Sequence, residues 1–495
     1  MEQIIPWNKI VDVLKYDPAN PLLFNTGLFL ILFTILVGVY TALRRARTAR
    51  MLVVIAFSMY FYYKSSAEYC LILAGTVIAD YCLGLLMGRS ERRWQRVAIL
   101  TANVLINIGM LVYFKYLNLI LETVSSLTST HFDALDIILP AGISFFAFRS
   151  ISYITDVYRG TMEPCRSFLD YAFFLTFFPP LLMGPVVRAK DMLPQIKADN
   201  PATRAMVSEG FFLIMGGLIK KVIVADFISG NFVDRVFDNP ALYSGFENLM
   251  AIYGFFIQLY CDFSGYSDMA IGIALLLGFR FKENFDSPFK SESPTEFWRR
   301  WHISLSMWLR DYIYIPLGGN RCGRFRTNLN LMVTMVLGGL WHGASWMFVI
   351  WGTLQGVLLV VQKGLKYMFP GVSQAGEGQW WRVAVNMFVT FNLIAVTFLF
   401  FRAQSMEHVY DMAHQIFGDF HSDVAPQFVY GYFAIVMAML LGYFMHLTPK
   451  RWVTRGRERF SSLPLVAQAI VVAVVILVII QVRQSDIVPF IYLQY

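Results

Sequence analysis

Two of the seven histidines, His302 and His342, sit in surroundings unlike the others. His302 lies in FWRRWHISLSMWLRDYIYIPLGGNR (297–321), which carries Arg299, Arg300, Arg310 and Arg321 among six aromatic side chains. His342 lies in VLGGLWHGASWMFVIWG (336–352), with no charged residue between Arg326 and Lys363. An imidazole with a pKa of about 6.5 exchanges protons near neutral pH, so it suits general acid–base or nucleophilic work. An ionisable group at membrane depth is costly to keep and by default suggests function. A neutral histidine hydrogen-bonded between helices is an equally ordinary packing device. For His342 the local sequence leaves these readings level. For His302, an interfacial amphipathic helix explains the tryptophans and arginines but not the histidine. His446, at the end of an apolar run, reads as structural and able to snorkel.

A second polar cluster is YCDFSGYSDMAIG (260–272), which places Asp262, Ser264 and Asp268 inside an apolar stretch. Two acids in one span call for a polar lumen or for cationic partners, of which Arg149 and Lys220 are candidates. A buried structural network explains them at least as well as direct chemistry. The five cysteines form no CxxC pair and no ligand spacing with histidine, so neither a disulfide framework nor a metal site is expected. P-loop, G-x-S-x-G and HExxH motifs are absent, which leaves ATP hydrolysis, a serine-hydrolase triad and a zincin site unsupported.

The elements that must position these residues are apolar helices. Of 495 residues, 57% are hydrophobic and only 15% charged, against about 25% charged in soluble domains. The pattern predicts one polytopic membrane domain over 1–495, with ten to twelve crossings and no polar linker. The net charge of +8 comes from short basic clusters between apolar runs, which suits cytoplasmic loops rather than nucleic acid. Loops 44–50, 89–96, 282–327 and 450–459 are therefore expected inside, and both termini outside. Spans are expected at 21–43, 51–63, 69–88, 97–121 and 137–158, then 209–228, 249–280, 328–341, 343–362, 383–401, 429–447 and 464–482. The first of these is too long, and too far from the start, for a cleavable signal. The prolines of FFPPLLMGP (177–185) predict a broken or re-entrant segment within 168–187. Lys220 and Lys221 interrupt a span and must snorkel or face a cavity.

Several stretches together resemble the membrane-bound O-acyltransferases, and most closely their bacterial alginate O-acetyltransferase branch. They are LPAGISFFAFRSISYITDVYRG (139–160), FFPPLLMGPVVR (177–188), QLYCDFSGYSDMAIGIALLLGF (258–279) and the run from Asn284 to Arg321. GGLWHGASWMFVIWG (338–352), FLFFRAQS (398–405) and the terminal FIYLQY (490–495) complete the likeness, whose motif-rich part spans about 139–366. The resemblance implies an all-α ring of tilted helices, with re-entrant and interfacial helices around a thin central tunnel. It implies His342 as the catalytic histidine, supported by His302. Trp301, Trp341, Asp262, Ser264 and Asp268 are expected to line the substrate path. Arg299, Arg300 and Arg310 are expected at the phosphates of a CoA-like donor, although interfacial anchoring explains them nearly as well. The implied work takes an acyl group from a cytosolic thioester such as acetyl-CoA, with no bound cofactor. An extracytoplasmic SGNH-type partner then passes it to an exported polysaccharide or peptidoglycan, at the bacterial inner membrane. D-alanyl transfer to teichoic acid is the alternative within the family, and a secondary transporter the alternative outside it. Relatives often carry Gln where Arg149 stands and His where Gln355 stands, so no third essential histidine is expected.

Overall fold

The computed structural model describes residues 7–128, 130, 132–369, 379–482 and 490–491. Met1–Pro6 and the last four residues of FIYLQY, the termini expected outside, lie beyond the described residues. Every regular element among the described residues is helical. Among the described residues, four helical stretches are long and apolar enough to cross a bilayer: Arg47–Arg89, which is broken at Ala67, Arg93–Thr128, Trp346–Met368 and Trp380–Arg402. A fifth arises if Ser422–Gly431 and Phe433–Leu447, bent by 92°, count as one span. The expected ten to twelve crossings are not reached on this measure. The shortfall has physical causes: Gly27–Ala42 has only 16 residues, and the 32-residue Gly245–Leu276 helix carries Asp262 and Asp268.

The expected hairpin forms from Arg47–Ser66 and Cys70–Arg89, joined at Ala67 with a positive φ of 48°. Its first limb has 20 residues, longer than the 51–63 read from sequence. Both limbs end against the same stretch of chain. Arg47 donates to Asp170 at 2.7 Å, and a Cβ on Gly88 would come within 2.5 Å of Pro164.

The FFPP segment breaks as its prolines require. The Phe168–Thr176 helix stops before Phe177, because two prolines lack the N–H donors a helix needs there. Phe177, Phe178, Leu181, Leu182 and Met183 are buried, so protein rather than lipid covers this irregular backbone.

Gly245–Leu276 is the central helix. Ser244 and Glu247 cap its start reciprocally, each side chain meeting the other's backbone N–H. Nearly its whole length is buried. It packs on Arg204–Leu218 through glycines at two levels. A Cβ on Gly217 would lie 2.5 Å from the Gly265 carbonyl oxygen, and one on Gly272 would lie 2.6 Å from that of Gly210. Small residues at both levels let the backbones touch, which is how apolar helices gain packing energy where water is absent. Gly339 and Gly352 do the same between Gly323–His342 and Trp346–Met368, with a Cβ on Gly339 only 2.3 Å from the Phe348 oxygen.

This crossing gives a controlled test. Gly217→Ala is expected to destabilise the protein by about 1–3 kcal/mol, the usual cost of overpacking. Gly216→Ala, at a neighbour with nothing within 4 Å, should be neutral or mildly stabilising. Thermal unfolding of both in detergent checks the pair, and equal melting temperatures would contradict the close crossing.

Candidate active site

His302 is held by backbone geometry and one amide. It follows the short Pro294–Arg300 helix and precedes Ile303–Leu309, with φ 41° and ψ 56° in the left-handed region. A non-glycine residue held there costs of order 1 kcal/mol or more and persists only where its surroundings fix it. Asn284 does the fixing. Its Oδ1 accepts from the Ser304 N–H at 3.1 Å and the Ser304 hydroxyl at 2.8 Å, and it lies 3.2 Å from His302 Nδ1. A backbone N–H can only donate, so the Asn284 atom facing it is the oxygen, and His302 Nδ1 carries the ring proton. His302 Nε2 is thereby left as the basic nitrogen, buried and, among the described residues, without a hydrogen-bond partner. The Asn284 amide nitrogen donates to Ser267 on the central helix at 3.1 Å, which ties the imidazole to that helix. Phe263, from the same helix, meets the His302 ring edge-on at 4.6 Å.

His342 is the last residue of the Gly323–His342 helix and is also buried. Trp351 and Phe401 pack edge-on against it at 5.0 and 5.4 Å. The two histidines, 40 residues apart in sequence, meet on one indole. The Trp341 ring lies 5.9 Å from that of His302 and 5.0 Å from that of His342. The indole is itself locked in a stack, with Phe148 against Trp308 at 3.6 Å and against Trp341 at 5.5 Å. Trp308 also donates to the Phe148 carbonyl at 3.0 Å.

Other expected site residues fall elsewhere. Trp301 is fully buried against Phe297 and Phe285, in the core beside the site rather than at headgroup level. The interfacial amphipathic helix expected over this stretch is corrected accordingly: Phe297, Trp301 and Trp308 all point inward. Arg300 is engaged by Glu296 at 2.7 Å and by the Asp286 carbonyl at 3.1 Å, so it is not free for a donor phosphate. Arg310 pairs with Asp311 at 2.7 Å, and Arg188 meets the other oxygen of that carboxylate at 2.7 Å. Burial pushes the Asp311 carboxyl up, but hydrogen bonds from Arg310 and Arg188 outweigh this and leave its pKa lowered. Asp311 thus stays ionised and offsets the arginines it joins. Among the described residues, Arg299 alone of the three is exposed without an ion pair.

Asp262 belongs to a buried ionic cluster and Asp268 to a separate, part-buried ion pair. Lys221 joins Asp262 and Asp226 at 2.7 Å each, and Lys220 joins Asp268 at 2.6 Å. Ser264 is buried on the same helix. Arg149 is not their partner, as it donates to the Phe174 carbonyl and lies over the Phe174 ring. Phe490 and Ile491 also reach the Asp262 cluster, with the Ile491 N–H donating to Asp262 at 2.9 Å. His446 does not snorkel. It is buried, and its Nε2 accepts from the Phe289 N–H at 3.1 Å. Gln355 bridges Trp298 and Thr397, at 3.2 and 2.6 Å.

Three polar residues of the buried interior escaped the sequence reading, Asn284 and Lys115 beside the histidines and Asp80 elsewhere. Asn284 carries no distinguishing signal. Lys115 donates to the Trp341 and His342 carbonyls at 2.8 and 3.1 Å. Asp80 is buried and takes hydrogen bonds from Asn103, Ser150 and Tyr171, each at 2.8 Å. Lys115 and Asp80 are each the lone charge in an apolar run, the same signal that singled out His342. Beside the His302 loop lies a cavity of about 160 Å³ lined by Val186, Arg188, Arg280, Lys282, Ile303 and Ser304. Ser304 links it to Asn284, and hence to His302.

The buried histidine pair shares one indole within a helical frame of membrane-spanning length. The sequence profile of the membrane-bound O-acyltransferase family (MBOAT) matches residues 165–403, which include both histidines. The chain belongs to this family, and it is an integral membrane acyltransferase. It is 40% identical over 411 residues to the probable alginate O-acetylase AlgI of Pseudomonas aeruginosa, covering 80% of this chain and 75% of that one. With the peptidoglycan O-acetyltransferase of Helicobacter pylori it shares 34% identity over 424 residues, 78% of each. With the teichoic acid D-alanyltransferase of Streptococcus thermophilus the identity is 29% over 283 residues, 52% of this chain and 67% of that one.

The Asn284 amide gives a prediction. Asn284→Leu removes the acceptor that orients His302, and acyl transfer is expected to fall by about 10–100-fold, as when the partner orienting a functional histidine is lost. Transfer per molecule of folded protein in membranes measures it. An unchanged rate would remove His302 from the working site.

Proposed function

We propose that the protein moves acetyl groups from a cytosolic thioester, acetyl-CoA, for O-acetylation of an exported glycan. His342 acts as the general base or acyl carrier, and His302 supports it. The observation that carries this reading is the meeting of the buried His302 and His342 on Trp341, among packed aromatic side chains. In the transfer, the hydroxyl oxygen bonds to the thioester carbonyl carbon while an imidazole nitrogen takes the hydroxyl proton. The carbon–sulfur bond then breaks, and the departing thiolate takes that proton back. With a histidine carrier the imidazole nitrogen bonds to the thioester carbonyl carbon, the carbon–sulfur bond breaks and the thiolate leaves with the imidazole proton. The hydroxyl oxygen then bonds to that carbon, the carbon–nitrogen bond breaks and the hydroxyl proton returns to the ring.

The donor side is the mouth of the cavity that adjoins Ser304, where Arg188, Arg280 and Lys282 stand beside Asp191 and Glu283 and are themselves paired with acids. Exposed Arg299 can add a further contact to donor phosphate, whereas Arg300 and Arg310 are engaged by acids. Basic clusters at 44–50, 89–96 and 450–459 favour a cytoplasmic position for this mouth in the bacterial inner membrane. An extracytoplasmic SGNH-type partner then delivers the acetyl group to the polymer. The likeness to acetylating relatives reaches higher identity and more of this chain than that to the D-alanyltransferase, which favours acetyl over D-alanyl. The ion-paired state of Lys220, Lys221, Asp262 and Asp268 weighs against the transporter reading, which needs such groups to exchange partners.

His342→Gln keeps a polar side chain of similar size but no base. Glycan O-acetyl content, in cells holding the variant at wild-type abundance, is expected to drop about 10²–10⁴-fold. Near-normal acetylation would exclude a catalytic His342.

A further inference from the structure

The helix that carries His342 ends without the usual backbone cap. The last four carbonyls of a helix lack intrahelical partners, and a left-handed residue commonly follows to satisfy them. Here the next residue, Gly343, is extended at φ −159° and ψ 156°. Two consecutive side chains of another segment supply the cap instead. Tyr116 donates its hydroxyl to the Leu340 carbonyl at 2.8 Å. Lys115 donates its ammonium to the next two carbonyls, Trp341 at 2.8 Å and His342 at 3.1 Å.

Both residues lie in Val112–Tyr116, a π-helical turn between Arg93–Leu111 and Leu117–Thr128. Such a turn inserts an extra residue into a helix and redirects the side chains it bears, and it recurs at functional sites. Lys115 is the lone charged residue between Arg96 and Glu122. Among the described residues it forms no salt bridge, so the helix end itself is what answers its charge. A cation at a helix C-terminus is favoured by the partial negative charge there. The capped turn also holds Trp341, the ring against which both histidines rest.

We propose that Lys115 and Tyr116 are positioning residues for acyl transfer. They fix the last turn of the Gly323–His342 helix and with it the direction of the His342 imidazole. This rests on the reading of His342 as the residue that performs the transfer. Neither side chain touches the imidazole through a hydrogen bond, so the effect passes through backbone placement. A shift of about 1 Å in a reacting group can cost on the order of 100-fold in rate.

The test uses full-length variants in cells, with folded protein counted by fluorescence size-exclusion chromatography and glycan O-acetyl groups measured per folded molecule. Lys115→Met is expected to lower that specific rate by about 10–100-fold. Lys115→Arg keeps a cationic donor and should restore most of it. Tyr116→Phe loses one neutral hydrogen bond and should lower the rate about fivefold. A cap that only stabilises the helix would reduce the amount of folded protein and leave the rate per molecule unchanged. The proposal is overturned if Lys115→Met acetylates at the wild-type rate per folded molecule while His342→Gln is inactive. Where Lys115→Met does not accumulate, Tyr116→Phe decides on the same criterion. Should His342→Gln itself remain active, the reading of His342 fails, and the positioning role fails with it.

Discussion

Lys221 reaches Asp262 and Asp226 at 2.7 Å each, with almost none of its side chain exposed. Charges in hydrocarbon must bring their partners with them, since no water stands by to solvate them. Removing one member of such a network leaves an uncompensated buried charge, which costs about 3–5 kcal/mol. The network therefore fixes the rotation of the central helix Gly245–Leu276 about its own axis. That rotation sets which residues face the histidines. With Asp262 turned to Lys221, Phe263 meets the His302 ring and Ser267 meets Asn284. The glycine pairs on the Arg204–Leu218 side act in the same sense, because their backbones approach only in one register.

The two histidines are held in different ways. His302 is fixed through its own ring: Asn284 sets the tautomer and leaves Nε2 basic. His342 is set at the end of a helix, so its direction follows the last helical turn. Trp341 joins the two arrangements, and the Phe148–Trp308 stack holds Trp341 in turn. Three parts of the chain, at Phe148, His302 and His342, thus meet on one indole. A substitution far from either imidazole in sequence can move the site by shifting that ring.

Much of this was legible in the sequence, and the reasons differ from residue to residue. The prolines of FFPPLLMGP announced a break because proline cannot donate within a helix, and the break is there. Lys220 and Asp268 were recognisable as partners because each is a charge an apolar span cannot leave alone. The same reasoning chose Arg149 wrongly, since a guanidinium can also settle on a backbone carbonyl and an aromatic face. Trp301 and Trp308 were misread as interfacial because composition gives aromatic content without direction. Their burial depends on long-range packing against Phe297, Phe285 and Phe148. Lys115 carried a readable signal as a lone charge, but its partners are backbone carbonyls 226 and 227 residues away. No side-chain pattern encodes a carbonyl as a partner.

A further consequence concerns how such a site keeps its shape in a thin or strained membrane. Most of the contacts that define it run between side chains and backbone atoms of different segments, not between opposed side-chain charges. Trp308 reaches the Phe148 carbonyl, Tyr116 the Leu340 carbonyl, and Ser304 the Val186 N–H. Backbone groups at broken or terminal positions must find partners inside the protein, and each partner they find fixes one segment against another. The irregular features, including the FFPP break, the left-handed His302 and the helix end at His342 that borrows its cap from Lys115 and Tyr116, therefore hold the site together. Straight, fully satisfied helices would have no spare donors or acceptors with which to grip one another at this depth.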